Sequence, residues 1–164
     1  MERESSGVRI RLASAEDAPA IATVLRESFE EYRDLYTPEG FEATTPTAAL
    51  VSSRMEEGPV WVATIDGEAV GTVSVVPKGE SLYIRGMAIV PEARGQRIGE
   101  SLLNHLEGYA TGRGFKRMFL STTPFLARAI QLYERGGFAR NAEGPDNLFG
   151  TPLFTMEKLV GPKD

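Results

Sequence analysis

The sequence of 164 residues contains no cysteine and only one histidine, His105. The absence of cysteine excludes disulfides, and it excludes an enzyme mechanism that passes through an acylated cysteine. A single histidine cannot supply the cluster of His and Cys ligands that a zinc or copper site requires. We therefore expect no metal site.

The sequence also lacks long apolar runs. No stretch approaches the roughly 20 apolar residues of a membrane-spanning helix, and the first segment, "MERESSG", has no apolar core of a secretion signal. We expect a cytoplasmic protein without a membrane partner. Because the length suits one hydrophobic core, we expect a single domain over residues 1–164, with 1–7 and 161–164 as flexible ends.

The charge of the chain is acidic overall and unevenly distributed. The net charge of −5 argues against binding of nucleic acid. Residues 1–80 hold 7 Lys and Arg against 15 Asp and Glu, whereas residues 81–164 hold 11 against 8. This asymmetry suggests two ligands of opposite sign, although scattered solvated charge explains the same numbers.

Apolar periodicity and turn signals predict an α/β chain of seven strands and four helices. A capping box formed by Ser14 and Asp17 starts the first helix, whose apolar positions recur as far as Tyr32. Gly86, inside the fourth strand, indicates a bulge or a close backbone approach. A whole helix separates the fourth and fifth strands, so these should pair in parallel. The predicted strands are 8–13, 59–65, 68–76, 81–90, 115–122, 138–140 and 151–160, and the later helices lie near 47–56, after residue 98 and over 124–138, the last opened by Pro124.

The loop Arg94-Gly95-Gln96-Arg97-Ile98-Gly99 joins the fourth strand to the third helix. Its glycines allow a tight bend that exposes backbone N–H groups where the helix dipole is positive. Arg94 and Arg97 add forked donors that suit phosphate oxygens. We expect the loop to bind a diphosphate, while a plain connection with solvated arginines fits the same residues. The Gly-Lys-Ser/Thr ending of an ATP-binding loop is missing.

The segment "MAIVPEARGQRIGESLL" resembles the Arg/Gln-x-x-Gly-x-Gly/Ala signature of the GNAT superfamily of acetyl-CoA-dependent N-acyltransferases. "AIQLYERGGF" resembles a later segment of the same superfamily, and "FTMEKLV" is similar to its closing strand. The resemblance implies a single GNAT-like α/β domain with a mixed central sheet of about seven strands, in which the parallel strands four and five splay apart between flanking helices. Arg97 replaces the middle glycine of the signature, and we expect it to have a helical φ, because a positive φ would strain an arginine.

The resemblance also implies how acetyl-CoA binds as the co-substrate. It assigns the thioester to backbone groups of strand four at Met87, Ala88 and Ile89. It assigns the diphosphate to Arg94, Gly95, Gln96, Arg97, Ile98 and Gly99. Where many relatives carry an asparagine that contacts the cofactor, this sequence has Leu126, so that contact is either absent or supplied by Thr122 or Thr123.

Tyr133 matches the family tyrosine near the sulfur, whose hydroxyl can protonate the departing thiolate as a general acid. The same tyrosine lies in an apolar helical stripe, which is typical of a core residue. Tyr83 stands where many relatives carry a glutamate, so the base is not identified. In the family the first helix borders the acceptor, and Glu27, Glu30 and Glu31 could bind a cation or relay a proton, a solvated acidic face being the alternative.

The sequence therefore predicts an N-acetyltransferase that moves an acetyl group from acetyl-CoA to a primary amine by direct attack in a ternary complex. The acceptor is expected to be a small molecule, and a cationic one if the acidic half of the chain borders it. A homodimer is compatible with the sequence. Two alternatives stay open: a non-catalytic acyl-CoA sensor, and an enzyme acting on amino groups of proteins or peptides. His105 is expected at the surface and Trp61 in the core or a pocket wall.

Overall fold

The computed structural model describes residues 7–161. The predicted flexible ends therefore lie almost entirely outside the described residues. The strands are β1 Val8–Leu12, β2 Val60–Ile65, β3 Glu68–Lys78, β4 Ser81–Ile89, β5 Arg117–Thr122, β6 Ala139–Asn141, β7 Asn147–Leu148, β8 Thr151–Pro152 and β9 Phe154–Leu159. Seven strands form one mixed sheet in the order β1-β2-β3-β4-β5-β9-β6, which confirms the predicted sheet, while β7 and β8 pair separately.

The predicted final strand over 151–160 is interrupted. Leu153 lies between β8 and β9, and its backbone N–H donates to the carbonyl of Asp146 at 3.0 Å. This hydrogen bond belongs to the small β7–β8 ribbon, so only β9 enters the main sheet, between β5 and β6.

The helices are α1 Ala18–Phe29, α2 Pro38–Thr44, α3 Ala48–Arg54, α4 Ile98–Gly112 and α5 Ala127–Arg135. The sequence prediction missed α2 because it interpreted Pro38 and Gly40 as loop residues. Pro38 instead occupies the first turn, where its missing N–H costs nothing, and the Thr37 side chain accepts a hydrogen bond from the Gly40 N–H at 3.0 Å. No helix within residues 7–161 is long and apolar enough to cross a bilayer.

The bounds of the first and the fourth predicted helices differ from those in the structure. The Ser14 N–H donates to the Asp17 carboxylate at 2.8 Å, which confirms the predicted capping pair, but the first turn after Ser14 is a 3-10 turn. A second 3-10 segment, Glu30–Leu35, follows α1, so Tyr32 lies beyond that helix. The fourth predicted helix begins at Ala127 rather than at Pro124, which lies in the preceding turn.

The parallel pairing of β4 with β5 is confirmed, and it is short. Ser81 to Ile84 of β4 lie beside Arg117 to Leu120 of β5. Beyond Ile84 and Leu120 the two strands no longer pair with each other, although β4 continues along β3 and β5 continues along β9. The sheet therefore opens between β4 and β5 while both strands stay anchored on their outer edges.

A β-bulge lies where the two strands begin to separate. Ser74 of β3 is opposite Gly86 of β4, and Val75 is opposite Ile84, so Arg85 is an extra residue without a partner position. The irregularity predicted from Gly86 is thus confirmed. Bulges redirect the side chain of the extra residue, and they are frequent beside active sites.

The core is formed by α1, which packs on β3 and β4, and by α4, which packs on β3, β4 and β5. Trp61 is a core residue, 5% exposed, as expected. The prediction that His105 is a surface residue is wrong, because its ring lies edge-on to Trp61 with centroids 5.0 Å apart and is half-buried. Burial lowers the pKa of His105, so the ring stays neutral near pH 7.

Candidate active site

A cleft of about 360 Å³ opens where β4 and β5 separate. Its walls come from α1, the 3-10 segment after it, the end of α3, the diverging halves of β4 and β5, and α5. Most of the lining side chains are apolar or aromatic. The charged ones are Arg54, Arg85, Arg94 and Arg128, and no Asp, Glu or His is found among the described residues that line the cleft. The cleft is therefore apolar in its walls and positive in its charge.

The loop between β4 and α4 contains backbone N–H groups that lack a hydrogen-bond partner among the described residues. Gly95 has a φ of +86°, and Arg97, the residue before α4, has a left-handed backbone with φ 62° and ψ 24°. No side chain caps the start of α4. Within the part of the chain that the structure describes, the N–H groups of residues 95–100 donate no backbone hydrogen bond. Several N–H groups at the positive end of a 15-residue helix form a site that suits an anion.

The expected helical φ of Arg97 is wrong. The bend into α4 requires a left-handed residue at this position, which the middle glycine of the family signature adopts without strain. An arginine there pays a cost of about 1–2 kcal/mol for the contact between its Cβ and its own backbone. Its side chain is exposed, which leaves the guanidinium free to approach an anion in the loop.

Arg97→Gly is expected to raise the free energy of unfolding by about 1 kcal/mol. Glycine removes the backbone strain, but part of this stabilisation is lost because glycine also increases the conformational entropy of the unfolded chain. Urea denaturation measures the change. Arg97→Ala loses the same guanidinium but keeps a Cβ at positive φ, so it should bring no such gain. Equal stabilisation by both variants would contradict the strain argument.

Arg94 lines the cleft and links the loop to α1. Its Nη1 lies 2.8 Å from the Glu31 carboxylate, and its Nη2 donates to the Ser28 carbonyl at 3.4 Å. The predicted phosphate ligand and one of the predicted acceptor ligands therefore form an ion pair with each other. An anion in the loop would have to share or replace Glu31 as the partner of Arg94.

The β4 segment predicted to meet the thioester borders the opening of the sheet. Met87 and Ile89 are half-buried and Ala88 is buried, and all three line the cleft. On one edge they pair with β3, with Met87 opposite Val73. Their other edge faces the gap that β5 has left, so backbone groups there are fixed in position and carry no charge that must be desolvated.

Tyr133 lies on α5 at the wall of the cleft and is 7% exposed. Burial, with a further contribution from the Tyr36 side chain, raises the pKa of Tyr133 to about 12. Its ring packs against Phe138 with centroids 6.0 Å apart. Among the described residues its hydroxyl has no hydrogen-bond partner, so it is a protonated donor without an acceptor.

Comparison with known proteins identifies the family. Residues 21–138 match the model of the Acetyltransferase (GNAT) family. The chain belongs to this family. Over 135 residues it is 33% identical to the uncharacterized N-acetyltransferase YjgM of Escherichia coli, covering 79% of this chain and 80% of that protein. It is 30% identical over 139 residues to the uncharacterized N-acetyltransferase YhfO of Bacillus subtilis, covering 80% and 89%. This GNAT protein is thus an acyltransferase.

The GNAT fold is also found among solved structures. The PaiA N-acetyltransferase from Thermoplasma acidophilum, in complex with coenzyme A, has a TM-score of 0.81 to this chain. The similarity covers 93% of this chain and 99% of that one, at 21% sequence identity. The mixed sheet with splayed β4 and β5 is therefore the family fold.

The three glutamates predicted near the acceptor do not line the cleft of this GNAT protein. Glu27 is exposed on α1. Glu30 pairs with Arg33 at 2.8 Å, and Glu31 pairs with Arg94. A role for these carboxylates in binding or proton relay stays a prediction, and it would have to act from the rim.

Several cleft residues of the GNAT protein were not singled out from the sequence. Tyr36 is buried, which raises its pKa to about 12, and its hydroxyl lies by Thr44 and Thr123. Arg54 and Arg85 also line the cleft. They come from α3 and from the β4 bulge, and only the tertiary structure brings them together.

The residues near the missing family asparagine also line the cleft. Leu126 is half-buried, whereas Thr122 and Thr123 are buried. The two threonines therefore both line the cleft. Their contact with the cofactor stays a prediction.

Proposed function

We propose that the protein transfers an acetyl group from acetyl-CoA to a primary amine by direct attack in a ternary complex. The observation that carries this proposal is the row of unpaired N–H groups at residues 95–100, beside a cleft that opens between β4 and β5. The solved structure of the similar Thermoplasma enzyme contains coenzyme A, which supports the same ligand. The amine nitrogen bonds to the acetyl carbon, the carbon–sulfur bond breaks, and one proton passes from nitrogen to sulfur.

The loop fits the diphosphate of coenzyme A on three counts. Space is open around Gly95, where an added Cβ would meet no atom within 4 Å. The N–H groups of residues 95–100 are available as donors, and Arg94 and Arg97 supply positive charge. Acetyl-CoA, when bound, supplies an activated acetyl group, and the backbone of Met87–Ile89 would hold that group at the gap.

Tyr133 acts as a donor at this site. With a pKa of about 12 it is protonated at any physiological pH, so it cannot serve as the base. A thiol has an ordinary pKa of about 8.5, so complete transfer of the phenolic proton to a thiolate is uphill by roughly 5 kcal/mol. The hydroxyl therefore stabilises charge on the sulfur through a hydrogen bond, and the amine supplies the net proton.

The cleft of described residues contains no carboxylate or histidine that could remove a proton from the acceptor. Two features favour a neutral amine instead. Burial in the apolar cleft lowers the pKa of an amine, and the nearby positive charges of Arg54 and Arg85 lower it further. A cationic acceptor, suggested by the acidic first half of the sequence, finds no counter-charge among the described residues of this lining.

Arg94→Ala is expected to weaken CoA binding about tenfold, since it removes a charge-assisted contact to the diphosphate. Glu31→Gln should strengthen CoA binding severalfold, because it frees the Arg94 guanidinium from its partner at 2.8 Å. It should change stability by less than about 1 kcal/mol, as is usual for exposed ion pairs. Calorimetric titration with CoA and with a pantetheine thioester that lacks the diphosphate provides the measurement.

Equal weakening of both ligands in Arg94→Ala would remove the phosphate assignment. A higher KM for the amine in Glu31→Gln, with unchanged CoA affinity, would place Glu31 in acceptor binding instead.

The whole proposal is tested by thiol release from acetyl-CoA with a panel of amines. Tight CoA binding without release on any small amine or peptide would favour the non-catalytic sensor.

A further inference from the structure

Arg85 is placed in the cleft by an irregularity of the sheet. It is the extra residue of the β4 bulge, and it lies where β4 separates from β5. Its side chain is only 19% exposed. A regular strand would have given this position a partner on β3, so the bulge is what turns a long cationic side chain toward the cleft wall.

The guanidinium of Arg85 is only partly satisfied. Its Nη1 donates to Glu57 at 2.8 Å, at the exposed rim. Its Nε and Nη2 are buried and have no hydrogen-bond partner among the described residues. Nε and Nη2 form one edge of the planar fork, and two parallel donors on one edge match the two oxygens of a carboxylate. Buried donors that lack an acceptor are costly, so a ligand that supplies one gains binding energy.

A second guanidinium lies next to the first. Arg54, at the end of α3, is half-buried and lines the same cleft. Its Nη2 donates to the Ala43 carbonyl at 3.3 Å, and no carboxylate forms an ion pair with it among the residues described. Burial and the neighbouring charge of Arg85 lower the pKa of Arg54. Arg54 and Arg85 carry two positive charges, and Glu57 is the exposed carboxylate that neutralises one of them. The remaining positive charge favours binding of an anion.

We propose that the amine acceptor carries a carboxylate, as a free amino acid does, and that Arg85 and Arg54 bind this carboxylate. The inference rests on the proposed acetyl transfer and specifies its substrate class. Arg85 precedes Met87 by two residues, roughly 7 Å along a strand, so a small amino acid can reach from the guanidinium pair to the gap beside Met87–Ile89. The arginines thus orient the amine and favour its neutral form at the same time.

The test uses acceptors that share a carbon skeleton and differ in the anionic group, and their rates are compared per neutral amine because each acceptor has its own amine pKa. Alanine is compared with ethylamine and alaninamide, and phenylalanine with phenethylamine and phenylalaninamide, with O-phosphoethanolamine as the phosphate-bearing amine. Thiol release from acetyl-CoA gives kcat/KM for each. The wild-type protein is expected to prefer the amino acids about tenfold or more over their decarboxylated partners.

Arg85→Gln should lower kcat/KM for the preferred amino acid by roughly 10- to 100-fold and lower it much less for the decarboxylated amine, which loses only the effect of the positive charge on its own pKa. Arg85→Lys keeps the charge without the fork, so it should recover only part of the loss. Arg9→Gln, which removes an exposed arginine on β1, is the matched control for net charge. CoA affinity, measured by calorimetry, should be the same in all of these variants.

Each other outcome has a definite meaning. Equal activity on amino acids and decarboxylated amines would overturn the carboxylate proposal while upholding acetyl transfer. Equal activity on the amides would point to a peptide N-terminus, and preference for O-phosphoethanolamine to a phosphate, and both overturn it. Weaker CoA binding in Arg85→Gln would assign the arginines to the nucleotide. If no acceptor releases thiol, binding of alanine and phenylalanine to the CoA complex, and its loss in Arg85→Gln, decides the inference separately from the reaction.

Discussion

Tyr133→Phe is expected to lower kcat for acetyl transfer by about two to three orders of magnitude, the range typical of losing one hydrogen-bond donor that stabilises charge in the transition state. The Tyr133 hydroxyl is an unpaired donor in the wall of the cleft, and its removal takes away one partner for the charge that develops on the sulfur. The affinity for CoA should stay nearly the same, because the removed contact forms only as the carbon–sulfur bond breaks. Steady-state kinetics and CoA calorimetry measure the two quantities.

Stability distinguishes this role from a structural one. Because the Tyr133 hydroxyl has no hydrogen-bond partner among the described residues, its removal should leave the melting temperature unchanged or raise it. Tyr109→Phe removes the same atom from a tyrosine that packs on Trp61, outside the cleft, and should leave kcat unchanged. A Tyr133→Phe protein with normal kcat, or one that loses activity only in proportion to unfolding, would contradict the assignment.

The dependence of the acetyl-transfer rate on pH tests whether the Tyr133 hydroxyl stays protonated. Since burial raises the pKa of Tyr133 to about 12, the phenol remains protonated as pH rises through the range in which an amine loses its proton. The rate should therefore rise with the fraction of neutral amine and show no decline from Tyr133 ionisation below about pH 11. A falling limb near pH 9 that disappears in Tyr133→Phe would show that the phenol ionises much earlier.

The crossover from β4 through the loop to α4 and β5 could be predicted from the sequence because its signals are local. Pro91 ends a strand, Gly95 and Gly99 allow a bend, and the length of the helix requires a parallel return. Of the loop residues predicted to bind the diphosphate, Arg94 lines the cleft, and the cofactor contacts of the loop stay a prediction. The backbone donors of the loop follow from the helix start itself and do not depend on distant parts of the chain.

The proposed carboxylate site could not be predicted in the same way. Arg54 and Arg85 are 31 positions apart in the chain, and they meet only because α3 packs near β4 and because a bulge redirects one strand residue. The left-handed φ of Arg97 was missed for a related reason, since the path of the whole turn outweighs the local preference of an arginine. Total charge over half the sequence does not locate a site, because none of its carboxylates is among the described residues that line the cleft.

Gly99→Ala is expected to lower the free energy of unfolding by about 1–3 kcal/mol, the usual cost of an extra methyl group in a packed site. A Cβ on Gly99 would lie 2.7 Å from Leu132 Cδ2 and 3.2 Å from Ile89 Cδ1. The expected sign is the opposite of the normal helix effect, in which alanine is more favourable than glycine by about 0.8–1.0 kcal/mol. Urea denaturation gives the change.

The same helix supplies the control. Gly108 is exposed on α4, and a Cβ there would meet no atom within 4 Å, so Gly108→Ala should stabilise the protein by up to about 1 kcal/mol. Two substitutions of the same type in one helix should thus change stability in opposite directions. If Gly99→Ala and Gly108→Ala both raised the free energy of unfolding, the side chains of Leu132 and Ile89 would be shown to move aside without loss of stability.

The clash also connects stability to the site. Leu132 lines the cleft next to Tyr133, so the methyl group of Gly99→Ala displaces its side chain toward the space between β4 and β5. CoA affinity should then fall about tenfold or more. Adding Leu132→Ala removes the displaced group, and the double variant should bind CoA more tightly than Gly99→Ala alone, a coupling expected only for residues in direct contact. If the two substitutions changed CoA affinity additively, the effect of Gly99→Ala would arise in the loop and not from displacement of Leu132 in the cleft.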